Sequence, residues 1–303
     1  MYRYKRVLVA VDLTENDSTL VKYAAMLSKM AESEKVYFCH VAKSLDISDA
    51  LYEKYSELIE PLDESIEEKL KKNITKLFDG HNSTQIQIDV AEGNILYELL
   101  KHIKRKKIDL VLVGKKMGKK FTSKLAEKLC RKAPCSVLVI PENADIQLSG
   151  ILVPIDFSEN SADAMDVALS FGSAAGLKAI DCVNVFKLPI GYYKTGKTEE
   201  QFTEIVRKNA KIAYQKFIQN IDTKGVQIND MYAFSSDTIE GLEHIVSENP
   251  YDLIVLGAQG RSAGAAILLG SVTEQLIWSA TIPVLAAKQK GAGMRLLDAI
   301  LKL

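Results

Sequence analysis

Short apolar runs rich in Val, Ile and Leu alternate along this chain with longer segments of helical spacing. The runs at 6–11, 35–41, 85–91, 110–113 and 137–140 predict strands buried on both faces. A second series at 150–155, 179–185, 228–233, 253–256 and 283–287 predicts five more. Between strands, positions such as Leu20, Tyr23, Ala24 and Leu27 fall on one helical face. Ser158 stands ahead of an apolar-periodic segment as a helix start, and Gly176 is placed to end that helix. The polar, charge-laced segments 53–78 and 198–220 predict outer helices, the first interrupted by Pro61.

The two series are copies of one another. Arg6-Val7-Leu8-Val9-Ala10-Val11-Asp12-Leu13-Thr14 recurs as Gly150-Ile151-Leu152-Val153-Pro154-Ile155-Asp156-Phe157-Ser158. Ile108-Asp109-Leu110-Val111-Leu112-Val113-Gly114 recurs as Tyr251-Asp252-Leu253-Ile254-Val255-Leu256-Gly257, and Ser136–Ile140 matches 283–287. Offsets of about 145 residues through three separate strands indicate a duplicated domain. Alternating β and α implies a parallel sheet with right-handed crossovers and helices on both faces. Ligands of such sheets bind beyond the carboxyl ends of the strands, where strand order reverses. The expected division is 1–144 and 145–288, joined by the short polar seam 141–145, with an amphipathic tail at 289–303 that should dock on its own chain or on a partner.

After its fourth strand the second copy reads Gly257-Ala-Gln259-Gly260-Arg261, then Gly264, then Gly270-Ser271-Val272-Thr273. Glycines let a backbone approach a ligand, successive N–H groups can converge on one anion, and a following helix N-terminus adds partial positive charge. Ser271 and Thr273 offer hydroxyls and Arg261 a cation, which together are the parts a polyphosphate needs. Spacing alone fits a ligand-free Gly/Ala turn equally well.

With these motifs in place, the chain resembles the universal stress protein family in its tandem two-domain form, over about residues 1–288. Adenine-nucleotide-binding members carry G-x2-G-x9-G-[S/T] after the fourth strand, which Gly257, Gly260, Gly270 and Ser271 match. Pro154-Ile155-Asp156-Phe157-Ser158 is similar to the family's P-x-D-x-S, which implies that Asp156 lies by the adenine and ribose. Asn184-Val185 stands where the family often has His-Val, so Val185 inherits a backbone contact to adenine. The resemblance implies two Rossmann-like domains, related to the adenine-nucleotide α-hydrolase fold, each a five-stranded parallel sheet of order 3-2-1-4-5. It implies a nucleotide site of Pro154, Asp156, Val185, Gly257, Gln259, Gly260, Arg261, Gly270, Ser271, Val272 and Thr273. The ligand would be ATP, ADP or AMP with Mg2+ or Mn2+. It further implies a bacterial, cytoplasmic stress-response protein whose fifth strands pair within the chain as a pseudo-dimer, with two chains forming a homodimer.

The first copy departs from this pattern. Gly114 to Val137 spans four positions fewer than Gly257 to Val284, the second glycine and the Gly-Ser pair are missing, and Ala10 replaces Pro154. Asp12 is kept. The first copy is therefore expected not to hold ATP. Its shortened loop carries Lys115, Lys116, Lys119 and Lys120, and 13 of the 32 residues from 101 to 132 are Lys or Arg. They read as a solvated helix start rather than an anion or nucleic-acid face, because no aromatic interleaving accompanies them. In the second copy, Tyr192, Tyr193, Lys194 and Lys197 form either a surface loop or a cover for the ligand.

Composition adds exclusions. Lys+Arg and Asp+Glu balance at 39 each, which argues against nucleic acid as the main partner. No apolar run approaches a membrane span. The four scattered cysteines read as buried hydrophobes of a reducing compartment, and the four histidines lack metal-ligand spacing. No acid–base pair accompanies Asp156, so no catalytic residue is expected. Three functions stay open: a nucleotide-dependent regulator, a slow ATPase, and a scaffold that uses the pseudo-dimeric fold without nucleotide.

Overall fold

The computed structural model describes residues 3–42, 62–78, 83–116, 120–259, 269–292 and 294–301, without the side chains of 62–65, 120–123, 295 and 296. The first half runs β1 (Arg6–Val11), α1 (Asp17–Ala31), β2 (Lys35–Ala42), α2 (Leu62–Leu77), β3 (Gln85–Glu92), α3 (Ile95–Lys106), β4 (Leu110–Lys115), α4 (Lys120–Lys132) and β5 (Ser136–Pro141). The second half runs β6 (Ile151–Pro154), α5 (Glu159–Ala174), β7 (Ala179–Phe186), a 3-10 turn (Tyr192–Thr195), α6 (Glu199–Ile218), β8 (Gln227–Phe234), α7 (Thr238–Glu248), β9 (Leu253–Gly257), α8 (Ser271–Ser279) and β10 (Val284–Ala287). A last helix, α9 (Met294–Leu301), closes the chain. Of the outer helix expected at 53–78, the part from 53 to 61 with Pro61 lies outside the described residues.

All ten strands form one sheet of order β3-β2-β1-β4-β5-β10-β9-β6-β7-β8. Each half is parallel and runs 3-2-1-4-5 from its outer edge to the middle. The halves meet antiparallel through their fifth strands, with Val284 opposite Val139, Leu285 opposite Leu138 and Ala286 opposite Val137. The expected pairing within one chain is thus present. The unbroken apolar runs serve both faces. Val7, Val9 and Val11 enter a core beneath α1, α2, α5 and α6, whereas Leu8 enters the opposite core beneath α3, α4 and α9. Helix α5 begins at Ser158, whose hydroxyl accepts from Ser161 N at 3.3 Å. It ends with Gly176 at φ +72°, where Leu177 N returns to Gly172 O, because a left-handed residue is needed to satisfy the last carbonyls.

The tail docks on its own chain, across the seam. Leu297 and Leu301 are buried against Leu100, Ile103 and Leu129 of the first half, and Lys104 pairs with Asp298 at 2.9 Å. Two lysines also cross the seam. Lys288 donates to Ala133 O at 2.9 Å, at the carbonyl end of α4. Lys115, only 3% exposed, donates to Ala280 O at 2.9 Å, at the carbonyl end of α8. The expectation of a solvated lysine loop is corrected there. Lys115 is buried because it faces the other copy, and Lys116 pairs with Asp12 at 3.5 Å. Lys119 and the side chain of Lys120 lie outside the described residues.

Burial pushes the Lys115 amine down to about 8, with Glu243 pulling the other way. The unfolded chain binds this proton more tightly between about pH 8 and 10.4, so stability rises with pH through that window. Between pH 7.5 and 9.5 the gain from this group is about 2 kcal/mol. Paired urea melts of wild type and Lys115→Met should read that gain as a rise in wild-type stability, relative to the variant, as the pH rises. A constant difference would contradict the burial of a charged amine.

Candidate functional site

β6 stops at Pro154, and the chain turns through Ile155, Asp156 and Phe157 into α5. Phe157 sits at φ +63°, and its first-half counterpart Leu13 sits at φ +61°. Bulky residues rarely occupy this region, so both copies hold the same strained turn at the carboxyl end of their first strand. The turn sets the Asp156 carboxylate against the start of α5, where the residue lines the crevice. Asp156 Oδ1 accepts from Ser158 N at 3.0 Å and from the Ser161 hydroxyl at 2.7 Å, and Ser161 Oγ accepts from Asp156 N at 3.1 Å. Ser158 caps the helix, which leaves Asp156 as a fixed carboxylate at the mouth of a crevice.

β7 runs beyond the end of β6. Val183 O accepts from Ile155 N at 2.8 Å, the last peptide bond to that side. Two residues later the strand period turns Val185 to the same side, past the end of β6 and toward the crevice. Asn184 Nδ2 ties Ile155 O down at 2.9 Å.

The opposite wall comes from β9 and α8. Gly257 is required by close packing, since a Cβ there would lie 2.8 Å from both the Cβ and the carbonyl oxygen of Asn160. The Thr273 hydroxyl, read from the sequence as a ligand donor, donates to Gly257 O at 2.9 Å and is buried. Gly270 N donates to Ala258 O at 2.9 Å, and Gly270, which has no side chain to cap with, is the N-cap of α8. The first turn of α8 lines the crevice. This end carries a helix's partial positive charge.

These walls enclose a cavity of about 520 Å³. Pro154, Asp156, Val185, Gly257 and Gln259 line one part, and Gly270, Ser271, Val272 and Thr273 line another. Gly260 and Arg261 lie outside the described residues. Ser161, Asn184 and Thr238 also line the cavity and were not singled out from the sequence. Ser161 lay within reach, five residues after Asp156 in the same turn. Tyr192 donates to Glu199 at 3.2 Å and packs on Phe202, and Tyr193 is 68% exposed. The described residues of that loop thus fit its reading as a surface loop.

The corresponding first-half cavity is about 110 Å³, lined by Asp12, Asn16, His40 and Gly114 among others. His40 Nδ1 contacts Val11 O at 3.0 Å, as Asn184 contacts Ile155 O. The His-Val pair survives in this copy, as His40-Val41, a repeat signal that the sequence comparison passed over.

A profile described as the universal stress protein family matches residues 3–141 and 149–288. Universal stress protein MJ0577 of Methanocaldococcus jannaschii is 26% identical over 159 residues, covering 47% of this chain and 96% of that protein. Universal stress protein YxiE of Bacillus subtilis is 28% identical over 155 residues, covering 46% of this chain and 97% of its own. Among solved structures, a universal stress protein from Archaeoglobus fulgidus superposes with a TM-score of 0.63 at 16% identity, covering 95% of this chain and 99% of that one. A functionally unknown protein, PA1789 of Pseudomonas aeruginosa, gives 0.64 at 15% identity, with 99% and 98% covered. Those two show likeness of fold.

Proposed function

From the premise that the chain belongs to the universal stress protein family, we propose that its second half binds ATP or a related adenine nucleotide and that the protein acts as a nucleotide-dependent regulator. One observation carries this reading. The 520 Å³ cavity lies beyond the strand ends, with the start of α8, whose N-cap Gly270 brings no side chain, on one side and a fixed carboxylate on the other. Peptide N–H groups suit phosphate oxygens, and Asp156 suits ribose hydroxyls. The peptide edge at Val185 suits the base.

Among the described residues no group of three His, Cys, Asp or Glu could hold a metal ion. A divalent ion in this reading arrives on the phosphates, with few protein ligands, as Mg2+ commonly does. Residues 1–144 are assigned to a degenerate copy without nucleotide, because its cavity is about 110 Å³ and its loop is shortened. No described helix is long and apolar enough to cross a membrane. A homodimer would need a surface other than the fifth strands, since these already pair within the chain.

Isothermal titration with ATP is expected to give one site per chain, and Gly260→Val should abolish it by filling the loop with side chain. Two sites per chain would overturn the assignment of the first copy, and no heat with any adenine nucleotide would favour the scaffold. Phosphate release that Gly270→Val suppresses would favour the ATPase reading. Release unaffected by that variant would remove it.

A further inference from the structure

We propose that the first copy braces α8 of the second, with Lys115 as the positioning residue, so that nucleotide affinity is set from across the seam. The inference rests on the nucleotide reading above. The first half holds α8 at both ends. At its first turn, Arg131 of α4 pairs with Glu274 at 3.3 Å, while Glu127 steadies the same guanidinium at 2.9 Å. At its far end, Lys115 Nζ meets Ala280 O at 2.9 Å. Between these points Ile277 is fully buried in the first half's core, among Ala126, Leu129 and Cys130. Leu269, which lines the cavity, belongs to the same core. The wall expected to face the phosphates is therefore packed by the first copy as well as by its own.

The chemistry of Lys115 separates positioning from packing. A helix of nine residues is about 13 Å long, so a cation at its carbonyl end complements the same dipole that faces the cavity. Among the described residues, Lys115 has a single acceptor, Ala280 O, and one carboxylate, Glu243 of α7, acts on its charge. Its chain neighbour Lys116 is turned to Asp12. A methionine would fill this space without the cost of burying an ammonium ion. What the ammonium adds is a fixed end-point and a field along α8.

Lys115→Met should consequently leave the melting temperature at neutral pH equal or higher, yet weaken ATP binding about five-fold. Adenosine, which has no phosphates to meet α8, should bind within about two-fold of wild type. Glu274→Gln, which releases the other end, should weaken ATP in the same direction. In the nucleotide-free protein, hydrogen exchange at residues 274–280 should quicken about ten-fold in Lys115→Met. Unchanged ATP affinity in both variants, or equal losses of ATP and adenosine, would overturn the brace. Should wild type bind no adenine nucleotide, the nucleotide reading fails separately. Exchange at α8 then decides the brace, which unchanged protection in Lys115→Met would refute.

Discussion

Gly257→Ala is expected to destabilise the protein by about 3 kcal/mol and to remove nucleotide binding, whereas Gly114→Ala at the matching position costs about 1 kcal/mol or less. The contrast comes from what each new Cβ would meet. At Gly257 the neighbours at 2.8–2.9 Å are the Cβ, carbonyl carbon and carbonyl oxygen of Asn160. Two of those are backbone of α5, so relief requires α5 to shift against β9. That shift displaces Gly257 O from Thr273 and the start of α5 from Asp156, and so spoils both walls of the cavity together. At Gly114 the close atom is the side-chain tip Nδ2 of Asn16. Asn16 Oδ1 is buried with no partner among the described residues, so a rotation of that amide gives up little. Urea melts of the two variants would measure the difference. Equal costs would mean that the halves pack their first helices alike.

Deletion of residues 289–303 should cost about 4 kcal/mol, because it uncovers the places of Leu297 and Leu301 at roughly 1.5–3 kcal/mol each. Leu297 is 0% exposed, and Leu297→Ala should alone account for about 3 kcal/mol. Asp298→Asn should change stability by less than about 1 kcal/mol, since the Asp298 and Lys104 side chains are 41% and 30% exposed. The loss should fall on the first half, where α9 sits, and exchange protection of α3 reads it directly. Loosening confined to the second half would contradict the docking.

Strands were the most legible part of the sequence. A parallel sheet covered on both faces turns its inner strands into runs of Val, Ile and Leu. All ten strands were evident within about two residues of β1 to β10. The edge strands β3 and β8, however, are half-buried or exposed instead of buried on both faces as expected. The family resemblance, with both copies in one chain, made the fifth-strand pairing expected. Asp156 and Gly257 were legible as cavity residues because each ends a strand. Their physical duties were not legible: Gly257 is small for Asn160, and Thr273 turns inward, both through contacts between segments far apart in sequence. Lys115 misled for a similar reason. A lysine in a lysine-rich loop reads as solvated until another copy covers it. The tail's amphipathic face was readable, whereas its place on α3 depended on a seam that only the folded chain assembles.

That seam joins two strands of a single polypeptide, so its two faces cannot separate on dilution, as those of a two-chain assembly would. The core that packs α8, with Ile277 and Leu269 in it, is in consequence as complete at nanomolar protein as at millimolar. On the nucleotide reading, the seam therefore gives occupancy of the neighbouring cavity no dependence on how much of the protein the cell contains.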